Sequence, residues 1–282
     1  MNYFDLHCDT PFECHKTNSP FFDNSLAVSG RKGAFFEKWE QFFAIWISDT
    51  TENPFKTYKE ILNDFKFKVK KRPQNLKPFF SVEGGAVLEG DICRLYSLKQ
   101  DKIKLLTLCW NGENEIAGGS QTEKDLTCFG KRVIRLMNCL KIGCDLSHLN
   151  RKSFYHALEN AKYPLCTHSN CDIVCNHKRN LDQEQIKALC LRNGIIGLCF
   201  YPEFLGGDVF EKIYENIFVL CDMGYENNIA IGSDFDGGKM DKRLDGIDKI
   251  PCLFEFLMKK GLKKELLDKI FYLNAHNYVA KF

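Results

Sequence analysis

Five short stretches of the chain hold imidazoles and carboxylates at places where they could grip metal. The opening run MNYFDLHCDTP puts His7 two residues before Asp9. The others are SVEGG with Glu83, IGCDLSH with Asp145 and His148, YPLCTHS with His168, and IGSDFDG with Asp234 and Asp236. Residues two apart on a strand project to the same side, so His7 and Asp9 can hold one cation, while His148 and His168 can hold a second. Glu83 carries two oxygens and can bridge metals about 3.5 to 4 Å apart, the arrangement with which hydrolases activate a shared water. A mixed imidazole and carboxylate set suits Zn2+ best, with Mn2+ and Co2+ as substitutes, and the expectation is two ions per chain. Taken singly, each histidine reads better as a hydrogen-bonded core or surface residue than as a ligand, and an HxD alone is common. The weight lies in the joint placement. His7, His148 and His168 end apolar runs, whereas His15, His156, His177 and His276 fall elsewhere and read as structural or solvated. Asp145 reads as a strand-end cap or a carboxylate behind the ligands, and Asp236 as a turn residue or a similar support.

Those residues need a scaffold that brings distant parts of the chain together. Eight apolar runs recur: YFDLHCD, FFAIWIS, PFFSVEGG, IKLLTLCW, IGCDLSH, YPLCTHS, IIGLCFY and NIAIGSDFDG. Most are separated by segments of helical periodicity, such as Lys131 to Lys141 and Asp182 to Arg192. Continuous apolar runs alternating with helices predict a parallel sheet covered on both faces, and eight βα units in this length predict a (β/α)8 TIM barrel. A doubly wound open sheet is the rival, but no GxGxxG or GxxxxGK[ST] loop follows any strand. No Pro-, Gly- or Ser-rich linker and no repeat divides the chain, so a single domain over residues 1–282 is expected. In most runs the apolar part comes first and the polar residue last. In a barrel these ends share one face, the face where active sites are built.

Composition limits the partners. The chain has 282 residues, 44% of them hydrophobic and 24 of them Phe, enough for a large core. A net charge of +2, from 39 basic and 37 acidic residues, gives no electrostatic reason to expect nucleic acid or an anionic membrane. No run of about 18 apolar residues could span a bilayer, and the N-terminus lacks the basic and apolar regions of an export signal. The 14 Cys sit mostly inside apolar stretches such as LLTLCW and read as free thiols in a cytoplasmic protein. Cys171 and Cys175 have CxxxC spacing, a poor match to redox or zinc-knuckle motifs. The expected partner is a small molecule.

The stretches DLHCDT, SVEGG, LTLCWNGENEIAGG, LTCFGKRVIRLMNCLKIGCDLSHLN, THSNCDIVCNHKRNLDQEQIKAL, GIIGLCFYP and IGSDFDGG together resemble the membrane (renal) dipeptidase family of zinc metallopeptidases, over nearly the whole chain. The resemblance implies a binuclear zinc site on His7, Asp9, Glu83, His148 and His168, with Glu83 bridging. It also implies two roles that the residues alone do not yield. Arg179, in HKRN, matches the arginine that binds the dipeptide's terminal carboxylate, and Asp234 matches the catalytic acid/base on strand 8. Tyr201, in GLCFYP, joins the substrate-binding set by the same resemblance. There is one departure: where animal members carry a His after LTLT that contacts the substrate carbonyl, this chain has Trp110, as bacterial-type members do. Asn111 or Asn114 could supply that contact, or Trp110 could simply wall the pocket.

The expected function is therefore hydrolysis of small dipeptides by a metal-bridged hydroxide, with tolerance for a D-residue at the C-terminal position. The resemblance also implies a homodimer, and without the export signal and anchor of the animal proteins a soluble cytoplasmic relative is expected. Two other readings stay open: a barrel amidohydrolase acting on another amide or lactam, and a non-catalytic metal-binding barrel. Glu83 together with Asp234 speaks against the last, because a purely binding site needs no proton shuttle.

Overall fold

The computed structural model describes residues 1–282. Eight parallel strands follow one another around a closed barrel. They are β1 (Asn2–Asp5), β2 (Lys38–Trp46), β3 (Leu76–Glu83), β4 (Ile103–Thr107), β5 (Gly143–Asp145), β6 (Pro164–Cys166), β7 (Ile195–Leu198) and β8 (Ile229–Ile231). Asp5 opposite Ile231 closes the ring between β1 and β8. Each strand lies within the apolar run expected to supply it or overlaps that run. The hydrogen-bonded ladders stop short of the functional residues in several of them. In IGCDLSH the strand ends at Asp145, and His148, three residues on, has a left-handed φ of 70° that no strand can accommodate.

Register sets the level of the polar residues. Trp46 pairs with Glu83, Glu83 with Thr107, and Thr107 with Asp145, so four strands end their apolar stretches at the same height. Below that level the barrel is filled by Phe4, Leu6, Phe42, Leu105, Leu165, Ile195 and Ala230, all buried. Phe4, Phe42 and Phe79 stack with ring centroids 5.1 to 6.0 Å apart. The C-terminal segment closes the opposite end, with Tyr272, Tyr278, Val279 and Phe282 packed into the same cluster. A second, larger cluster of 66 buried residues fills the space between strands and outer helices. Strands buried on both faces are why the sequence reads as unbroken apolar runs.

The two periodic segments form helices with shifted ends. The first runs Cys128–Leu140, three residues earlier than the apolar period suggested, because the Thr127 hydroxyl caps it by accepting from the Gly130 amide at 2.9 Å. The second runs Gln183–Leu191, with Asp182 and Gln185 in a reciprocal capping box. Two glycines let the barrel close beneath the site. A Cβ on Gly197 or Gly232 would collide with the Thr167 carbonyl oxygen, so β7 and β8 approach β6 as closely as they do only without side chains there.

Candidate metal centre and substrate cavity

His7 lies two residues beyond β1, and Asp9 stands at the N-cap of helix Thr10–Lys16. The usual use of an Asp there is to cap the helix, yet its side chain makes no capping bond. It turns instead to His7, whose Nε2 is 3.4 Å from Oδ2 of Asp9 and 3.4 Å from Oε2 of Glu83. The other oxygen of Glu83, Oε1, faces the opposite way, 2.7 Å from Nε2 of His148 and 3.5 Å from Nε2 of His168. The five residues thus form two three-donor groups, His7–Asp9–Glu83 and Glu83–His148–His168, that share one carboxylate. Asp234 stands beside the first, with Oδ1 3.9 Å from Nε2 of His7.

The hydrogen bonds behind these donors set their tautomers. Thr167 gives its hydroxyl hydrogen to Oδ2 of Asp145 at 2.7 Å, so it accepts from Nδ1–H of His168 at 2.8 Å. Asn111 accepts at Oδ1 from Nδ1–H of His148 at 2.9 Å and from the Ser120 hydroxyl at 3.2 Å. Both imidazoles therefore aim unprotonated Nε2 lone pairs at the centre, and those two nitrogens are only 2.8 Å apart. Two lone pairs at that distance repel unless a cation lies between them. Burial lowers both imidazoles from their usual value, His148 to about 4 with Arg179 adding to the effect, and His168 with His7 adding. Both shifts favour the neutral form, the one a metal ligand needs.

The first group carries the opposite imbalance. Burial pulls His7 down, but the carboxylates of Glu83 and Asp9 outweigh it and hold the imidazole above its usual range. Burial raises Asp9, and Glu83 pushes the same way. Burial also works to raise Glu83, but His7 and His148 prevail and keep it ionised. Nε2 of His7 and Oδ1 of Asp9 are buried with no hydrogen-bond partner. Buried polar atoms left in that state are costly, and a cation is what this donor set lacks. The residues fit a divalent metal of the zinc type at each group.

Above the cluster opens a cavity of about 440 Å3, within the range for small-molecule sites. Trp110, Asn111, Arg179, Tyr201, Asp234 and His177 all line it. Arg179 is 5% exposed, its Nη2 donates to the His168 carbonyl at 3.3 Å, and its Nε has no partner. No carboxylate lies within ion-pair distance of it, so a buried guanidinium faces the cavity without an anion. Burial lowers its pKa accordingly. Asn114 is spent on its own loop, donating to the Leu108 carbonyl and accepting from the Ile116 and Ala117 amides. Of the two asparagines considered from sequence, only Asn111 reaches the cavity, with its oxygen already committed to His148 and Ser120.

A sequence model of the membrane dipeptidase family, peptidase family M19, matches residues 49–279. The chain belongs to that family. Its class is therefore that of a zinc-type metallopeptidase, a hydrolase. An uncharacterized protein from the pqqA 5′ region of Klebsiella pneumoniae is 29% identical over 209 residues, which are 68% of this chain and 77% of that protein. An uncharacterized dipeptidase of Schizosaccharomyces pombe is 28% identical over 69% of this chain and 50% of its own length. Among solved structures, a metallopeptidase from Rhodobacter sphaeroides liganded with a phosphinate mimic of the dipeptide L-Ala-D-Ala superposes with a TM-score of 0.90. It is 20% identical and covers 99% of each chain. The family match starts at residue 49, so His7 and Asp9 lie ahead of it and join the cluster through the closing contact of β1 with β8.

Several residues of this M19 member matter at the site although the sequence did not single them out. Asp5 is fully buried and accepts from the Ser233 amide at 2.8 Å, the Ser233 hydroxyl at 2.6 Å and the His7 amide at 3.2 Å. It ties the ends of β1 and β8 together beneath His7 and Asp234. Its signal was in plain view, since Asp5, His7 and Asp9 alternate. Thr167, which orients His168, carried no signal. The Cys199 thiol donates to Oδ2 of Asp234 at 3.5 Å, leaving Oδ1 on the side of His7. His177, expected to be structural or solvated, lines the cavity, and its Nδ1 accepts from the Arg179 amide at 3.1 Å. Asp236 accepts from the Thr10 hydroxyl and the Ala27 amide, both at 2.7 Å, and so braces the loop after β8. His148 and Asp234 both hold left-handed backbone, φ 70° and 64°, a strain of about 1 to 3 kcal/mol each that functional sites commonly store. The fourteen cysteines are free, and no helix is long and apolar enough to cross a membrane.

Proposed function

We propose that this chain is a dipeptidase acting on the peptide bond of short substrates, and that it works as one domain over residues 1–282. The observation that carries the proposal is Arg179: a buried guanidinium with no protein carboxylate, in a cavity whose floor is the paired donor groups around Glu83. A planar fork of this kind suits a free carboxylate, and it fixes that carboxylate one residue beyond the bond to be cut. His7 and Asp9 would hold one zinc ion, His148 and His168 the other, and Glu83 would lend one oxygen to each. When bound, such a pair of ions lowers the pKa of water and polarises a carbonyl.

The remaining work belongs to side chains. Burial raises the Asp234 carboxyl above its ordinary value against the opposing pull of His7. A carboxylate so shifted can take a proton at Oδ1 and return it to the leaving amine. Cys199 holds Oδ2 and so fixes which oxygen is free. Tyr201 and the amide nitrogen of Asn111 are the polar groups for the rest of the substrate, and Trp110 walls it. Tolerance of a D-residue at the C-terminal position draws support from the Rhodobacter sphaeroides structure with its L-Ala-D-Ala mimic. The exposed free thiols Cys93, Cys128, Cys139 and Cys252 favour a reducing, cytoplasmic setting, and the homodimer implied by the resemblance is open to measurement by light scattering.

The test is release of free amino acids from a panel of L,L- and L,D-dipeptides, with and without a chelator, alongside elemental analysis. Two zinc ions per chain and chelator-sensitive turnover are expected. Turnover of lactams or other amides, with dipeptides untouched, would move the chain to the broader amidohydrolase reading.

A further inference from the structure

We infer that Phe12, Trp46 and Trp110 form the subsite for the first residue of the substrate and select dipeptides that begin with a large apolar or aromatic side chain. The inference rests on the reading of Arg179 and Glu83 given above. Arg179 follows β6, and its companions Tyr201 and Phe204 follow β7, with the guanidinium 5.3 Å from the Phe204 ring. Trp46 ends β2, Phe12 lies in the helix after β1, and Trp110 lies in the loop after β4. In a closed ring of eight, β6 and β7 stand across the mouth from β2 and β3. A dipeptide with its carboxylate on Arg179 and its scissile bond over Glu83 must therefore extend its first residue toward these three rings.

The rings form one continuous surface. Phe12 meets Trp46 edge-on at 4.9 Å and 90°, Trp46 meets Trp110 at 5.2 Å and 70°, and Trp110 lies 6.3 Å from the ring of His148. Trp46 is also the register partner of Glu83, so the wall rises directly beside the proposed bridging carboxylate. All three are half-buried, which leaves ring faces to line the cavity. Glu13, the charged neighbour at the rim, is paired with Lys16 at 3.2 Å. A first residue with a charged side chain would meet apolar rings and lose hydration, whereas a Phe or Leu side chain would gain burial.

The measurement is kcat/KM of the zinc-loaded protein for Phe-Ala, Leu-Ala, Gly-Ala and Asp-Ala. Phe-Ala and Leu-Ala should exceed Gly-Ala and Asp-Ala by about 10-fold or more. That ratio should collapse toward one in Trp46→Ala and survive in Trp46→Phe, which keeps an aromatic ring. If Trp46→Ala does not fold, Phe12→Ala gives the same readout. Trp46 and Trp110 are two of the three tryptophans, and Trp39 is fully buried elsewhere. A phosphinate mimic of Phe-Ala should therefore perturb tryptophan emission more than the Gly-Ala mimic does. Hydrolysis of all four substrates within about twofold of one another, or a preference for Gly-Ala, overturns the inference and leaves the dipeptidase reading standing. Failure to hydrolyse any of them removes both.

Discussion

The two ends of the barrel each bury a glutamate, and they treat it in opposite ways. At the N-terminal end Glu40 is almost fully buried but satisfied: Lys77 lies 3.3 Å away, the His276 ring 3.2 Å, and the Tyr272 hydroxyl donates to it at 3.4 Å. These partners tie the C-terminal helix to β2. At the C-terminal end Glu83 is surrounded by imidazoles whose lone pairs point inward and by a second carboxylate, Asp9, with one oxygen orphaned. The first cluster closes its electrostatics within the protein. The second leaves them unbalanced, as a site that could hold a cation would be, and it adds strained backbone at His148 and Asp234. One fold thus separates stability from chemistry by placing them at opposite ends of the same strands.

The sharpest way to break this contrast is Glu83→Gln, which removes the shared charge. Turnover should fall to background and elemental analysis should no longer find paired metal; near-normal activity with two ions bound would mean that Glu83 bridges nothing. Asp234→Asn comes next. It should retain both ions while turnover drops by about 10² or more, the loss expected of an acid/base. If metal is lost in parallel, Asp234 is a ligand of the first group.

Arg179 tests the open end from the substrate side. Leaving one partner of such a pair unmatched costs about 2 to 5 kcal/mol, so amidating a dipeptide's carboxylate should lower kcat/KM by about 30-fold or more. In Arg179→Met the free and amidated substrates should become nearly equal. A ratio near one in the unmodified protein would remove the carboxylate anchor. Asn111→Ala should act on metal as well as on substrate, because it frees the His148 ring as it removes the amide: zinc affinity should weaken by about tenfold, within the range for partners of ligand imidazoles. Unchanged zinc affinity with a raised KM would leave Asn111 a substrate contact only. The smallest catalytic effect belongs to the closed end. Glu40→Gln should lower unfolding stability by about 1 to 3 kcal/mol, read from the denaturant midpoint, with kcat/KM within about twofold of normal. A large activity loss there would show that the two ends are coupled.

The sequence by itself determined the eight apolar runs, their alternation with helices and the polar residue that closes most of them. A strand buried on both faces must read as an unbroken apolar run, and the polar residues that end such runs gather at the C-terminal face. That His7, Asp9, Glu83, His148 and His168 would gather in one place was legible for that reason, while the roles proposed for Arg179 and Asp234 rest on the resemblance. Barrel closure and register decided what local pattern cannot express. They turned one oxygen of Glu83 toward His7 and the other toward His148. They put Thr167 and Asp145 behind His168, spent Asn114 on its own loop, brought His177 to the cavity, and lined up Phe12, Trp46 and Trp110 from three βα units. Each of these depends on contacts between segments tens to hundreds of residues apart, and such contacts exist only once β1 has met β8.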